Sequence, residues 1–137
     1  MSNLKKIIMK NTINLAVMGI DHGHIFDMLD EMIKEGCNCN HFWTEGSPLT
    51  LNEFNKKYPN IKRVENKSEI LKDNKIDMIL ISSIPKDRAT LSIEALKSGK
   101  DVMVDKPGCT TLNQLENLKH TVKETGKIWS VNFSERF

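Results

Sequence analysis

The sequence lacks a surplus of charge of either sign. Its 20 basic and 18 acidic residues leave a formal net charge of +2, and the two signs are mixed along the chain. A protein that neutralises a nucleic acid backbone gathers its lysines and arginines into a basic patch or stripe. We therefore expect no nucleic acid partner.

Long apolar runs are also missing from the N-terminal region. Only Ile7, Ile8 and Met9 are consecutive apolar residues among the lysines there, which is too short for a membrane span or for the apolar part of a secretory signal. We interpret residues 1–12 as a basic N-terminal extension. The expected protein is cytoplasmic and has no membrane partner.

Cysteine is scarce. The chain has an odd number of cysteines, namely Cys37, Cys39 and Cys109. They show no pairing pattern of a small disulfide-rich domain, so we expect reduced thiols. Cys37, Cys39 and His41 have the spacing of a ligand string, but alternate side chains on a strand stand nearly 7 Å apart. A single zinc with bonds of about 2 Å cannot collect all three.

What the sequence does contain is an alternation of apolar β runs and helical patterns over residues 13–137. This order predicts right-handed crossovers and an α/β fold, in which helices cover both faces of a doubly wound, Rossmann-like parallel sheet. We predict three layers and about six strands in the order 3-2-1-4-5-6, with a turn at Ile84–Pro85. The predicted strands are 13–18, 38–44, 63–64, 77–83, 101–104 and 128–133.

In such a sheet the ligand crevice lies at the carboxyl ends of the strands, between the first and the fourth. The loop after the first strand is the usual place of the pyrophosphate-binding pattern G-x-G-x-x-G. Its three positions here read Gly19, Asp21 and His24, and Gly23 lies one residue out of register. The pattern is weak, because a carboxylate at Asp21 repels pyrophosphate unless it turns away.

His22 and His24 can donate hydrogen bonds to phosphate or hold a metal ion. A metal on these two side chains needs a third ligand, which the sequence does not place, and histidines at a helix start are more often loop or capping residues. We assign no metal ligands. Glu45 follows the second strand, where an acidic side chain accepts hydrogen bonds from the ribose of NAD and repels the 2′-phosphate of NADP. An ordinary turn residue is the equal alternative for Glu45.

The run from Gly99 to Pro107 delivers Asp105, Lys106 and Pro107 to the carboxyl end of a buried strand. A residue before proline avoids the helical region, so Lys106 projects from the strand end in a restricted direction, and Asp105 can tune or orient it. The alternative is a solvated loop lysine next to a proline that only ends the strand.

Four segments, residues 13–19, 84–89, 99–108 and 132–137, together resemble the N-terminal domain of the Gfo/Idh/MocA oxidoreductases. These are NAD(P)-dependent dehydrogenases and related enzymes that act mostly on sugars, inositols and their derivatives. The resemblance implies that Lys106 is the lysine that assists proton transfer, with Asp105 in place of the usual glutamate. The residues assigned to the cofactor, by position or by resemblance, are Gly19, Ile20, Asp21, His22, Gly23, His24, Glu45, Ser83, Pro85 and Pro107.

The resemblance also implies a second domain with the substrate pocket and the subunit interface. We therefore expect residues 13–137 to be the dinucleotide-binding domain alone, inactive by itself, with NAD as cofactor and NADP left open. Together with that second domain, the dinucleotide-binding domain would bind a polyol or sugar derivative as substrate. Whether the protein forms a homo-oligomer is left open. Arg88 lies near the position where many members of this family carry a histidine. This suggests that Arg88 supplies a positive charge that binds an acidic substrate. The alternative is a non-catalytic nucleotide-binding or interaction module.

Overall fold

A computed structural model describes residues 12–133. The predicted N-terminal extension, except Thr12, and residues 134–137 of the last resembling segment lie outside this range. The longest helix has 14 residues, and no helix in the range is long and apolar enough to cross a membrane.

The strands are β1 (Asn14–Met18), β2 (Asn38–Trp43), β3 (Lys62–Arg63), β4 (Met78–Ile81), β5 (Asp101–Asp105) and β6 (Trp129–Asn132). The helices are α1 (His24–Lys34), α2 (Leu51–Lys57), α3 (Ser68–Leu71), α4 (Pro85–Lys97) and α5 (Leu112–Thr125).

The sheet has six strands in the order β3-β2-β1-β4-β5-β6. Every pairing of neighbouring strands is parallel, so each connection must cross over a face of the sheet. The chain winds outward from β1 in one direction and then, from β4, in the other. The predicted fold class and strand order are confirmed, and the reversal lies between β1 and β4.

Alternate residues of β1 face two different hydrophobic cores. Leu15 and Val17 belong to a core with residues of α1 and α2, whereas Ala16 and Met18 belong to one with residues of α4 and α5. All four side chains are buried, because helices cover the sheet on both sides. This double burial explains why β1 reads as a continuous apolar run, and it gives the three predicted layers.

The start of α4 differs from the sequence prediction. Ile84 and Pro85 were expected to form a turn, but Pro85 is the first residue of the helix. Proline is accepted there because the first N–H groups of a helix have no acceptor within it. The helix therefore begins directly at the edge of the predicted crevice, which brings its first turn close to the loops after β1 and β5.

The three cysteines are free, as expected. Burial raises the pKa of the Cys39 thiol to about 12, although a hydrogen bond to the main chain of His41 lowers this pKa in part. That no single zinc collects Cys37, Cys39 and His41 stays a prediction from strand geometry.

Candidate functional site

The carboxyl ends of β1, β2 and β4 meet at Gly19. A Cβ atom on this residue would lie 2.5 Å from the Cβ of Ser83 and 2.9 Å from its backbone atoms. The φ angle of Gly19 is +90°, in a region that other residues rarely adopt. Its N–H donates to the carbonyl of Trp43 at 2.7 Å, and its carbonyl accepts from the N–H of Ser82 at 3.1 Å. Only glycine fits this junction.

Replacing Gly19 by Ala should lower the free energy of unfolding by about 2 to 4 kcal/mol, because the methyl group meets the backbone of Ser83 and the conformation is strained. Gly36→Ala is the matched control: Gly36 has a φ of +97°, but an added Cβ meets nothing within 4 Å. Its expected loss is about 1 to 2 kcal/mol. Urea unfolding measures both, and equal losses would mean that contact with Ser83 is unimportant.

A cavity of about 390 Å³ opens beside this junction. Of the residues predicted to bind the cofactor, Gly19, Asp21, Glu45 and Ser83 line it, and they follow β1, β2 and β4. The cavity therefore lies at the reversal of the sheet, where a doubly wound fold places its ligand.

Asp21 lines the cavity, and its carboxylate accepts hydrogen bonds from the main chain of Ile84 and of Asp21 itself. Burial raises the pKa of Asp21, while hydrogen bonds from the main chain of Ile84 and of Asp21 itself oppose the rise. That the charge of Asp21 is unfavourable for pyrophosphate stays a prediction.

The remaining residues of the loop after β1 divide into two groups. Ile20 is buried in the core with α1, so only its main chain is left for a cofactor, and its carbonyl accepts a hydrogen bond from the hydroxyl of Thr50. Gly23 is the exposed N-cap of α1. His22 is exposed, and its N–H donates to the carbonyl of Ser82 at 3.0 Å. The histidines, rather than Ile20, bring polar side chains to the crevice.

Arg88 joins the loops that follow β4 and β5. Its Nε donates to the carbonyl of Ser83 at 2.8 Å, and its Nη1 donates to the carbonyls of Asp105, Lys106 and Pro107 at 3.2, 2.7 and 3.2 Å. Its Nη2 lies 3.4 Å from Oδ2 of Asp105. The suggestion that Arg88 meets an acidic substrate is wrong, because the side chain is only 1% exposed and its donors serve the protein.

Asp105 is fully buried at the end of β5 and gathers polar side chains around its carboxylate. Nδ1 of His24 lies 2.9 Å from Oδ1, and Nδ1 of His22 lies 3.6 Å from Oδ2. The hydroxyl of Ser82 donates to Oδ2 at 3.2 Å. The structure thus brings two predicted cofactor residues to a predicted catalytic one. That Asp105 also tunes Lys106 stays a prediction.

Lys106 follows the last residue of β5, and its side chain is half-buried. The Lys106–Pro107 peptide bond is cis. Pro107 and Pro85 are both exposed at the same edge of the sheet. The three loops converge as the fold prediction requires, whereas the roles of Lys106 and of the two prolines stay predictions.

Sequence reasoning placed the loop that begins at Ser82 at the crevice but assigned no role to Ser82, Trp43 or Lys67. Trp43 and Lys67 line the cavity; the Lys67 Nζ lies 5.7 Å from the centre of a Trp43 ring and 3.0 Å from a carboxylate oxygen of Glu94. Position alone could have identified two of them, because Ser82 directly follows β4 and Trp43 ends β2. Lys67 lies between β3 and α3 and carries no such signal.

A parallel sheet that reverses at its centre, with a glycine junction and a cavity at the reversal, defines a Rossmann-type nucleotide-binding domain. The comparison with known proteins identifies its family. A model described as "Oxidoreductase family, NAD-binding Rossmann fold" matches residues 45–133. The chain belongs to this Gfo/Idh/MocA family and is its NAD-binding Rossmann domain. The match starts after the loop that carries Gly19 to His24, where the sequence departs from the usual glycine pattern.

Two curated relatives come from Bacillus subtilis (strain 168). Scyllo-inositol 2-dehydrogenase (NAD(+)) is 34% identical over 53% of this chain and 21% of its own length. Scyllo-inositol 2-dehydrogenase (NADP(+)) IolW is 23% identical over 93% of this chain and 35% of its own length. A crystal structure of a protein assigned as an oxidoreductase from Erwinia carotovora atroseptica superposes with a TM-score of 0.87 at 34% identity, over 91% of this chain and 37% of that one. The chain thus spans about a third of these proteins or less.

Proposed function

We propose that this domain binds NAD between β1 and β4 and presents the nicotinamide to Lys106, as part of an oxidoreductase that acts on a polyol or sugar derivative. The observation that carries the proposal is the cavity that joins Gly19, Glu45 and Ser83 at the reversal of the sheet. The free cysteines fit a cytoplasmic location, where thiols stay reduced.

The residues around the cavity fit a dinucleotide. At Gly19 any side chain would collide with Ser83, and the bare main chain allows a phosphate group to approach closely. Trp43 and Leu91 supply apolar surface for a base, and Glu45 offers a carboxylate to ribose hydroxyls. Lys67, the basic residue of the cavity lining, is paired with Glu94. This donor set favours NAD over NADP, whose 2′-phosphate would meet Glu45.

Bound NAD supplies the hydride acceptor at the nicotinamide. The chain's own contribution would be proton transfer and positioning: Lys106, as a neutral amine, would take the proton of the substrate hydroxyl as the C–H bond is broken, and the ammonium so formed would return it in the reverse reaction. Arg88 donates hydrogen bonds to the carbonyls of Asp105, Lys106 and Pro107, and thereby fixes the main chain that carries the Lys106 side chain. The substrate domain of the complete protein would exclude water and bind the rest of the substrate.

A polyol substrate is supported by the relatives named scyllo-inositol 2-dehydrogenase. Both names include a nicotinamide dinucleotide, one NAD(+) and the other NADP(+). The choice between these cofactors therefore has to be tested on this chain.

Calorimetric titration of the chain with NAD and NADP tests the proposal. We expect tighter binding of NAD, and we expect Glu45→Ala to reduce the preference about tenfold, because a hydrogen bond to a charged group and a repulsion are both lost. Glu53→Ala removes the same charge from an exposed site on α2 and should leave the ratio of dissociation constants unchanged. An unchanged ratio in Glu45→Ala rejects the role of this residue, and failure to bind either dinucleotide rejects the function.

A further inference from the structure

We propose that His22, His24 and Asp105 form a binding site for a divalent transition metal ion such as Zn²⁺, at the edge of the crevice next to Lys106. These three side chains are the one group among residues 12–133 whose His, Cys, Asp or Glu ligand atoms cluster closely enough to hold an ion. The sequence offered the two histidines but no third ligand. The structure brings in Asp105, which is 81 residues from His24 in the chain.

The spacing of the ligand atoms suits a small metal ion. The two nitrogen–oxygen distances to Asp105 are 2.9 Å from His24 and 3.6 Å from His22. Around a tetrahedral Zn²⁺ with bonds of about 2.0 to 2.1 Å, ligand atoms lie about 3.3 Å apart. One ligand atom from each of the three side chains lies within 4.8 Å of the other two. Metal binding would widen the contact between His24 and Asp105 slightly and draw His22 inward. Nδ1 of His22 accepts a hydrogen bond from the N–H of His24 at 3.1 Å, which it would give up, and the side chain has room to turn because it is 53% exposed.

The ligand types indicate the class of metal. Two imidazole nitrogens and one carboxylate are the ligands of several catalytic zinc sites, and imidazole favours zinc and its transition-metal neighbours over Mg²⁺ and Ca²⁺, which prefer oxygen. Three protein ligands leave at least one position of a tetrahedral ion for water or a hydroxyl oxygen. If the proposed function holds, that position could take a hydroxyl group of the polyol.

The carboxylate of Asp105 is oriented by contacts with neighbouring polar side chains, as metal ligands usually are. Oδ2 of Asp105 accepts from Ser82 and lies against Arg88, while Oδ1 points to His24. Besides Asp105, the carboxylate of Asp21 interacts electrostatically with Arg88. The two carboxylates outnumber the single guanidinium when the imidazoles are neutral. A divalent ion with an oxyanion as fourth ligand would leave this group of charges balanced.

Titration of the chelator-treated chain with Zn²⁺ by calorimetry, and with Co²⁺ by visible absorption, tests the site without any dinucleotide. We expect one ion per chain and the intense absorption bands of tetrahedral Co²⁺. His22→Ala and His24→Ala should each weaken binding by more than about 100-fold, since loss of a supporting residue alone costs about 10- to 100-fold. His120→Ala removes an exposed imidazole of α5 and should change nothing.

The two histidine variants are decisive, because Asp105→Asn also removes the buried partner of Arg88 and can unfold the domain. Circular dichroism verifies that the histidine variants keep the fold. The proposal is overturned if the parent chain binds neither ion, or if His22→Ala and His24→Ala bind as tightly as it does. Because NAD is absent from this experiment, neither result bears on the proposed dinucleotide site.

Discussion

Replacing Arg88 by Met should lower the free energy of unfolding by about 3 to 5 kcal/mol. Removing one partner of a buried ion pair leaves the other charge uncompensated, and here the remaining charge is Asp105, which is 0% exposed. The carbonyls of Ser83, Lys106 and Pro107 lose their donor in the same substitution. Methionine keeps most of the length of the side chain, so the loss measures polar contacts more than volume. Urea unfolding followed by tryptophan fluorescence gives the difference.

Arg63→Met is the matched control for this measurement. Arg63 also donates to two carbonyls, those of Thr44 and Gly46 at 2.9 and 2.7 Å, but its side chain is exposed. Water can replace the guanidinium there, so we expect a loss of about 1 kcal/mol or less. Similar losses in the two variants would show that the buried contacts of Arg88 contribute no more than surface hydrogen bonds.

Lys106→Ala should reduce turnover by about 10²- to 10⁴-fold, the usual contribution of a positioned acid or base. The assay uses the proposed complete enzyme, in which this domain would be joined to a substrate domain. We expect the dissociation constant for NAD to stay within about twofold of the parent value, because the proposed role of Lys106 is proton transfer rather than cofactor binding. Steady-state kinetics at saturating NAD, combined with calorimetry, separates the two effects.

Lys86→Ala serves as the control for Lys106→Ala. Lys86 is exposed in the first turn of α4, so its loss removes one positive charge from the same edge of the sheet without touching the proposed mechanism. If Lys106→Ala abolishes binding of NAD but keeps turnover at saturation, Lys106 is a binding residue and another group must move the proton.

The fold could be predicted because its determinants are local and repeated. The apolar runs that became β1, β4 and β5 are buried on both faces, and the handedness of crossovers then restricts the strand order. The start of α4 was harder to predict from the sequence, since Ile84–Pro85 is compatible with a turn and with a helix start alike. The structure selects the helix start, with Pro85 as its first residue.

The site could be predicted in position but not in its contacts. The sequence correctly placed Gly19 and Asp105 at one edge, because each lies at the carboxyl end of a strand. It could not show that the carboxylate of Asp105 meets His24, since that depends on how a side chain from another strand end packs. Arg88 was expected to face a ligand because it lies near the position where many members of the family carry a histidine. Its burial became visible only when the carbonyls it serves were placed around it.

In the proposed function, the order of the strands separates two tasks of the crevice. Glu45 follows β2 and Lys106 follows β5, and the strands between them are β1 and β4. Three spacings of about 4.8 Å place these two strand ends about 14 Å apart, which is far enough for substitutions to act independently. Under the proposed roles of Glu45 and Lys106, dinucleotide preference could change near β2 during evolution without altering the proton-transfer residue near β5. Cofactor choice would then be a trait of the domain that is inherited separately from its chemistry.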